Sequence, residues 1–339
     1  MNSQIINRKA IPPHINPIHS VWKSLIYWSR TSTLSAIRIQ YSHQLVVCLT
    51  HHIHLHFCTR RFLHLFPTYT SPDTLITMKS NFSSQQIEKL ALRQLRDYQS
   101  NTPGMCFSEP DFNINVSAAY DLQDAVTRLR VKAGENVIGY KVGCTGPGTK
   151  AQFGMNGPTR GTLFGNEAFR NDAVINPNEF CQLAIEGEMA VKVGEDGQIK
   201  AAFPIIELHN FIFRAERRTL SELIANNGIH AGIILPEMDW QNSTKYLYKD
   251  AQLTLCINGL DVGTTGLWPN DDGPEASVTW LRSNLQSYGI ELEAGSIVLA
   301  GTALGLYPVE GGDEVTVHLD KTPIVSCTIK EPCTKPNNP

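Results

Sequence analysis

From Asn136 onward the chain is cut into short runs of Val, Ile and Leu bounded by Gly, Asn, Asp and Pro, and that spacing restricts it to a body built mainly of strands. Strands are predicted at 137–144, 186–193, 199–208, 232–235, 251–257, 296–300, 315–319 and 324–329. Glu195-Asp196-Gly197-Gln198 reads as the turn of a hairpin. Two helices interrupt the strands. One opens at the Thr219-x-x-Glu222 box, and one runs from Pro274 through Val278, Leu281 and Leu285 to Gly289, with Glu275 in its first turn, where the helix dipole favours an acid. Ahead of the strands, a Ser83-x-x-Gln86 capping box opens a helix with Ile87, Leu90, Ala91, Leu95 and Tyr98 on one face, ending near Asn101. A second helix follows Ser117, with Leu122, Ala125, Val126 and Leu129 together and Gly134 as its stop. The expectation is an α+β, β-rich fold with a small helical N-terminal region.

Charge divides the chain. Its formal net charge of −3 conceals a leader, residues 1–77, with no acid before Asp73 but with Arg8, Lys9, Lys23, Arg30, Arg38, Arg60 and Arg61 and most of the eleven histidines. The remainder is strongly acidic. Such a leader fits a mitochondrial or plastid transit peptide, or an upstream stretch foreign to the protein with Met78 as its start. The expected organisation is leader 1–77, helical region 78–135, strand-rich body 136–330 and polar tail 331–339. His52, His54 and His56 would share one strand face, but the leader offers no carboxylate to orient their rings, so no metal site is assigned there. The eight cysteines contain no C-x-x-C pair and read as reduced thiols of an intracellular, cytoplasmic protein, or a mitochondrial one if the leader is a transit peptide. No apolar run approaches the ~18–20 residues that span a bilayer. The acidic body lacks a basic aromatic patch for nucleic acid. Gly143-Cys144-Thr145-Gly146-Pro147-Gly148 has the glycine spacing of a phosphate loop, but Thr149-Lys150 inverts the order that loop requires.

Chemistry concentrates at Glu186-Gly187-Glu188. In a half-buried strand Ile185, Met189, Val191 and Val193 take one face, and Glu186 and Glu188 project together from the other. Two acids so close call for a cation, and a hard divalent ion such as Mg²⁺ suits carboxylate oxygens. Glu207 lies in the apolar run Pro204-Ile205-Ile206-Glu207-Leu208, where an unmet charge is costly, and sharing the cation would remove that cost. Upstream, Gly139 and Gly143 flank Lys141 on its strand face and would leave a gap for another molecule. The strand ending Val298-Leu299-Ala300-Gly301-Thr302 presents backbone amides and the Thr302 hydroxyl to an anion.

Taken in order, Ala119-Tyr120-Asp121-Leu122-Gln123, Gly139-Tyr140-Lys141-Val142-Gly143, Glu186-Gly187-Glu188, Ile206-Glu207, Trp280-Leu281 and Ala294 to Thr302 resemble the fumarylacetoacetate hydrolase superfamily. Within it they resemble the branch of 2-oxopent-4-enoate hydratases and 4-oxalocrotonate decarboxylases, over about residues 85–329. The resemblance implies a mixed β-sandwich or roll of the family's C-terminal type. It also implies Mg²⁺ or Mn²⁺ on Glu186, Glu188 and Glu207, Lys141 as an active-site lysine, Thr302 against substrate, and a homo-oligomer. The implied activity is a lyase reaction on a small 2-oxo or 2-hydroxydienoic acid, hydration foremost, with decarboxylation or acylpyruvate hydrolysis as alternatives. Three departures stand out. Pro158-Thr159-Arg160-Gly161 replaces a Pro-Asp-Phe-Gly pattern, which removes a proton-transferring acid and offers Arg160 as a grip for a second substrate carboxylate. The stretch between Glu188 and Glu207 is short enough to misplace the third ligand. His209 follows Glu207 on the same face as a replacement base. The missing aspartate also leaves open a catalytically weakened metal-binding homologue with a binding or regulatory role.

Overall fold

The computed structural model describes residues 79–146, 158–247, 249–269 and 272–331, so the leader 1–77 with its histidine face and the tail from Lys335 lie outside the described residues. In chain order the elements are α1 (Ser84–Gln99), α2 (Val116–Lys132), β1 (Val137–Gly143), β2 (Thr159–Phe164), β3 (Ala168–Arg170), β4 (Ala173–Ile175), β5 (Leu183–Val193), β6 (Ile199–Asn210), α3 (Leu220–Ala225), β7 (His230–Leu235), α4 (Met238–Gln241), β8 (Gln252–Ile257), β9 (Leu260–Gly266), α5 (Gly273–Ser287), β10 (Ile297–Leu299), β11 (Tyr307–Pro308), β12 (Glu314–Leu319) and β13 (Thr322–Ile329).

The helix boundaries follow local chemistry. The Ser83 hydroxyl accepts from Gln86 N while the Gln86 side chain accepts from Ser83 N, so the capping box forms as expected. The second helix begins slightly earlier than expected, because the Asn115 side-chain Oδ1 accepts from Ala118 N and caps it. Thr219 caps α3 through Glu222 N at 3.1 Å.

The strands form two sheets. The larger has the order β2-β1-β10-β5-β6-β7-β3, with β11 beside β5, and the smaller has the order β4-β13-β12-β8-β9. Pairs β1/β10 and β3/β7 are parallel, whereas β5 and β6 are antiparallel along nearly their whole length. The larger sheet curls, and β2 comes against β7 from the other end of the order. Inside the curl Leu163, Ala190, Phe203, Ile205, Ile233 and Leu299 pack together. On the outer face Ile185, Met189, Val191, Ile206 and Leu208 meet Leu253, Leu255, Val315 and Val317 of the smaller sheet, together with Val278, Leu281 and Leu285 of α5. A third core joins α1, α2 and α3. β5 is therefore covered on both faces, not half-buried as its alternation suggests, and its acids stand on an interior face.

Gly139 also acts differently from its expected role. A Cβ there would lie 1.8 Å from the Ile297 carbonyl oxygen, so the glycine admits the β10 backbone and not an incoming molecule. Among the described residues no helix is long and apolar enough to cross a membrane.

Candidate active site

Strand register builds the site. Glu186 on β5 stands directly opposite Glu207 on β6, and Ala184 stands opposite His209, so Glu186, Glu188, Glu207 and His209 share the interior face. The short turn around Gly194–Gln198 sets this register, and far from displacing Glu207 it brings it across from Glu186. Lys141 reaches the same face from β1, through Leu299 of β10, whose partner on β5 is Ala190.

Glu207 is the hub. Its side chain is wholly buried, and its Oε1 accepts from Lys141 Nζ at 2.6 Å and lies 2.7 Å from His230 Nδ1. Burial alone would raise its pKa, but the charges of His209 and Lys141 and the hydrogen bond with His230 hold it well below the usual carboxylate range. Burial likewise opposes the Lys141 charge, yet the Glu207, Glu186 and Glu188 carboxylates outweigh it and keep the ammonium protonated. Glu188 has less support. It accepts from Gly301 N, but burial and the neighbouring Glu207 and Glu186 push its pKa well above the normal carboxylate value. Three acids against Lys141 and His209 leave the pocket short of positive charge.

The donor arrangement fits a cation. One ligand atom each from Glu186, Glu207 and His209 lie within 4.8 Å of one another. Glu207 Oε2 and both ring nitrogens of His209 are buried without a hydrogen-bond partner, a costly state that a bound ion would relieve. Glu188 lies beside this group with its Oε1 turned to the Gly301 amide.

The remaining expected residues divide. Thr302 follows β10 at the rim of the site, where its hydroxyl accepts from Leu304 N at 3.0 Å. Arg160 does not join the cluster. It pairs with Val142 across β1/β2, one residue out of phase with the Lys141–Gly161 pair, and so it projects to the other face. There its guanidinium makes a two-point contact with Asp124 at 2.8 Å, bonds Gln123 and Asn284, and lies over the rings of Tyr120 and Tyr288. Thr159, at the position of the missing acid, does face Lys141, and its Oγ1 lines the space beside Gly143.

Two features escaped sequence reasoning. His230, the second partner of Glu207, lies at the start of β7 with no spacing to mark it. Just before it, Asn227, Gly228 and Ile229 all take left-handed φ values of 58°, 64° and 57°. For a β-branched residue such as Ile229 that conformation is a true outlier. Asn227 fixes this turn by accepting from Thr162 N at 2.7 Å and donating to Thr162 O at 2.8 Å, and Gly228 O lies 3.5 Å from Lys141 Nζ. The Asn226-Asn227-Gly228 run after a helix was the available signal, since Asn and Gly favour this region.

The solved structure of 4-oxalocrotonate decarboxylase from Pseudomonas putida G7, complexed with magnesium and adipate, superposes with a TM-score of 0.65 at 21% identity, covering 73% of this chain and 98% of that one. The chain carries the fumarylacetoacetate hydrolase superfamily fold. No family model matches it. In sequence the chain is 25% identical over 239 residues to the 2-oxo-hept-4-ene-1,7-dioate hydratase of Escherichia coli, covering 63% of this chain and 86% of that protein. It is 25% identical over 268 residues to the 2-keto-4-pentenoate hydratase of Paraburkholderia phymatum, covering 73% and 98% respectively.

Proposed function

We propose that this chain is a divalent-cation-dependent lyase acting on a small 2-oxo or 2-hydroxydienoic acid, with hydration of the dienoic acid as its reaction. The observation that carries the reading is the group of Glu186, Glu207 and His209 within 4.8 Å, with Lys141 Nζ 2.6 Å from Glu207. Glu186, Glu188 and Glu207 would hold Mg²⁺ or Mn²⁺. Such an ion supplies positive charge to the carboxylate and adjacent oxygen of a 2-oxo acid and so favours the enolate through which these reactions pass.

The chain's own residues supply the rest. Lys141, kept charged by three carboxylates, stands where it can give a proton to substrate, and Glu207 and Gly228 O fix its position. The Gly301 amide orients Glu188, and the Thr302 hydroxyl at the rim is the group offered to the substrate carboxylate. His209 faces Glu186 and Glu207, on the cation side of the site. The hydratase names of the curated relatives support hydration over decarboxylation or acylpyruvate hydrolysis. Thr159 beside Lys141 favours the second reading, a cation-binding protein with weakened chemistry, because a hydroxyl replaces a proton-transferring acid. A homo-oligomer, an organisation of leader, helical region and catalytic body, and an intracellular setting complete the proposal.

The test is turnover of 2-hydroxypenta-2,4-dienoate by the full chain, stripped with a chelator and then reloaded with Mg²⁺ or Mn²⁺. Loss of dienol absorbance that requires the cation, without CO₂ release from 2-oxohex-3-enedioate, is the expected result. CO₂ release would identify a decarboxylase. Cation binding with no turnover of either acid would identify the non-catalytic protein.

A further inference from the structure

His209 is 2% exposed, and neither of its ring nitrogens has a hydrogen-bond partner. An imidazole, neutral or charged, needs partners at its ring nitrogens, so burying it with both unmet is costly. Its Nε2 is nevertheless aimed at two carboxylates, 3.4 Å from Glu207 Oε2 and 3.5 Å from Glu186 Oε2. These separations are long for charge-assisted hydrogen bonds. They match the edges of a coordination polyhedron, since donors at 2.0–2.2 Å from one ion in tetrahedral geometry are about 3.4 Å apart. Glu207 is also turned the right way. Its Oε1 is taken by Lys141 and His230, and its other oxygen is the one left free toward His209.

The three free atoms are thus two carboxylate oxygens and one imidazole nitrogen, and the nitrogen changes which ion is preferred. Mg²⁺ keeps to oxygen and water, whereas imidazole suits first-row transition ions. We propose that His209 Nε2 is a direct ligand of the bound cation, beside Glu186 and Glu207, and that the site consequently takes a transition dication such as Mn²⁺, Co²⁺ or Zn²⁺ in preference to Mg²⁺. The proposal rests on the reading that these carboxylates hold a cation. It adds a nitrogen donor and a metal preference to it.

Two measurements on the full chain test it. The Mn²⁺-loaded protein, examined by electron spin echo envelope modulation, is expected to show the ¹⁴N modulation of a coordinated imidazole, which His209→Gln abolishes. Calorimetric titration of the stripped protein is expected to give Co²⁺ and Zn²⁺ dissociation constants at least about tenfold below that of Mg²⁺. His209→Gln should weaken Co²⁺ and Zn²⁺ by about 10–100-fold, the scale on which lost metal-site partners act, and should leave Mg²⁺ nearly unchanged. Bound Mn²⁺ without nitrogen modulation overturns the proposal but leaves the carboxylate site intact. Modulation that survives His209→Gln also overturns it, by assigning the nitrogen to another ring. Should the variant fail to fold, the spectrum of the unsubstituted chain still decides whether a nitrogen is bound. Absence of binding by every cation would remove both this proposal and the lyase reading.

Discussion

At the scale of single residues, Glu207 and Arg160 are both buried charges, but they serve different ends. Glu207 holds Lys141 and His230 with one oxygen and leaves the other free. Glu207→Gln keeps the shape and removes the charge, so a buried ammonium loses its counter-ion. Denaturant titration should show a loss of about 3–5 kcal/mol, the cost typical of breaking a buried pair from one side, together with loss of cation-dependent turnover. Arg160 ties β2 to α2 through Asp124 and Gln123. Arg160→Met leaves Asp124 unpaired and should also cost about 3–5 kcal/mol. Whatever protein remains folded should keep its KM for the 2-oxo acid, and a raised KM would return Arg160 to the substrate. A lone arginine beside glycine and threonine reads from sequence as an anion grip. Only its phase relative to Lys141 across β1/β2 turns it away.

At the scale of elements, pairing and backbone conformation decide more than side-chain pattern. Gly134 and Gly139 both have positive φ, 101° and 154°, but their surroundings differ. A Cβ at Gly134 meets nothing within 4 Å, whereas one at Gly139 meets the Ile297 carbonyl. Gly134→Ala should therefore cost about 1 kcal/mol in thermal or chemical unfolding, the strain of a left-handed alanine. Gly139→Ala should abolish the cooperative transition or leave the protein insoluble, because β1 and β10 can no longer pair. The helices and most strands were legible because their caps and apolar runs are local. β2 was not, since Thr159-Arg160-Gly161-Thr162 lacks apolar alternation and is nonetheless fully buried. β9 was missed for the opposite reason. Its Asp261, Thr264 and Thr265 lie on a largely exposed edge, although Asn258-Gly259 ahead of it, at φ 52° and 72°, is a two-residue hairpin signal.

At the scale of the whole molecule, the curled sheet gives the acids an interior face, while the smaller sheet and α5 cover the outer one. Residues 1–77 carry no acid before Asp73 and read as a transit peptide or a foreign upstream stretch, not as part of the folded body. A chain starting at Met78 should consequently unfold in a single transition, at the same midpoint as the full chain, and bind cations equally well. A lower midpoint would assign residues 1–77 a part in the fold. What the sequence determined by itself was the strand-rich class, the caps, the apolar faces and the candidacy of Lys141, Glu186, Glu188 and Glu207, because each depends on periodicity or on the cost of a charge in an apolar run. Tertiary structure alone decided that Glu207 faces Glu186, that His230 and His209 close around it, and that Arg160 projects to the opposite face of its sheet. Those facts depend on inter-strand register, and a shift of one residue there exchanges the two faces of a sheet without changing any local pattern.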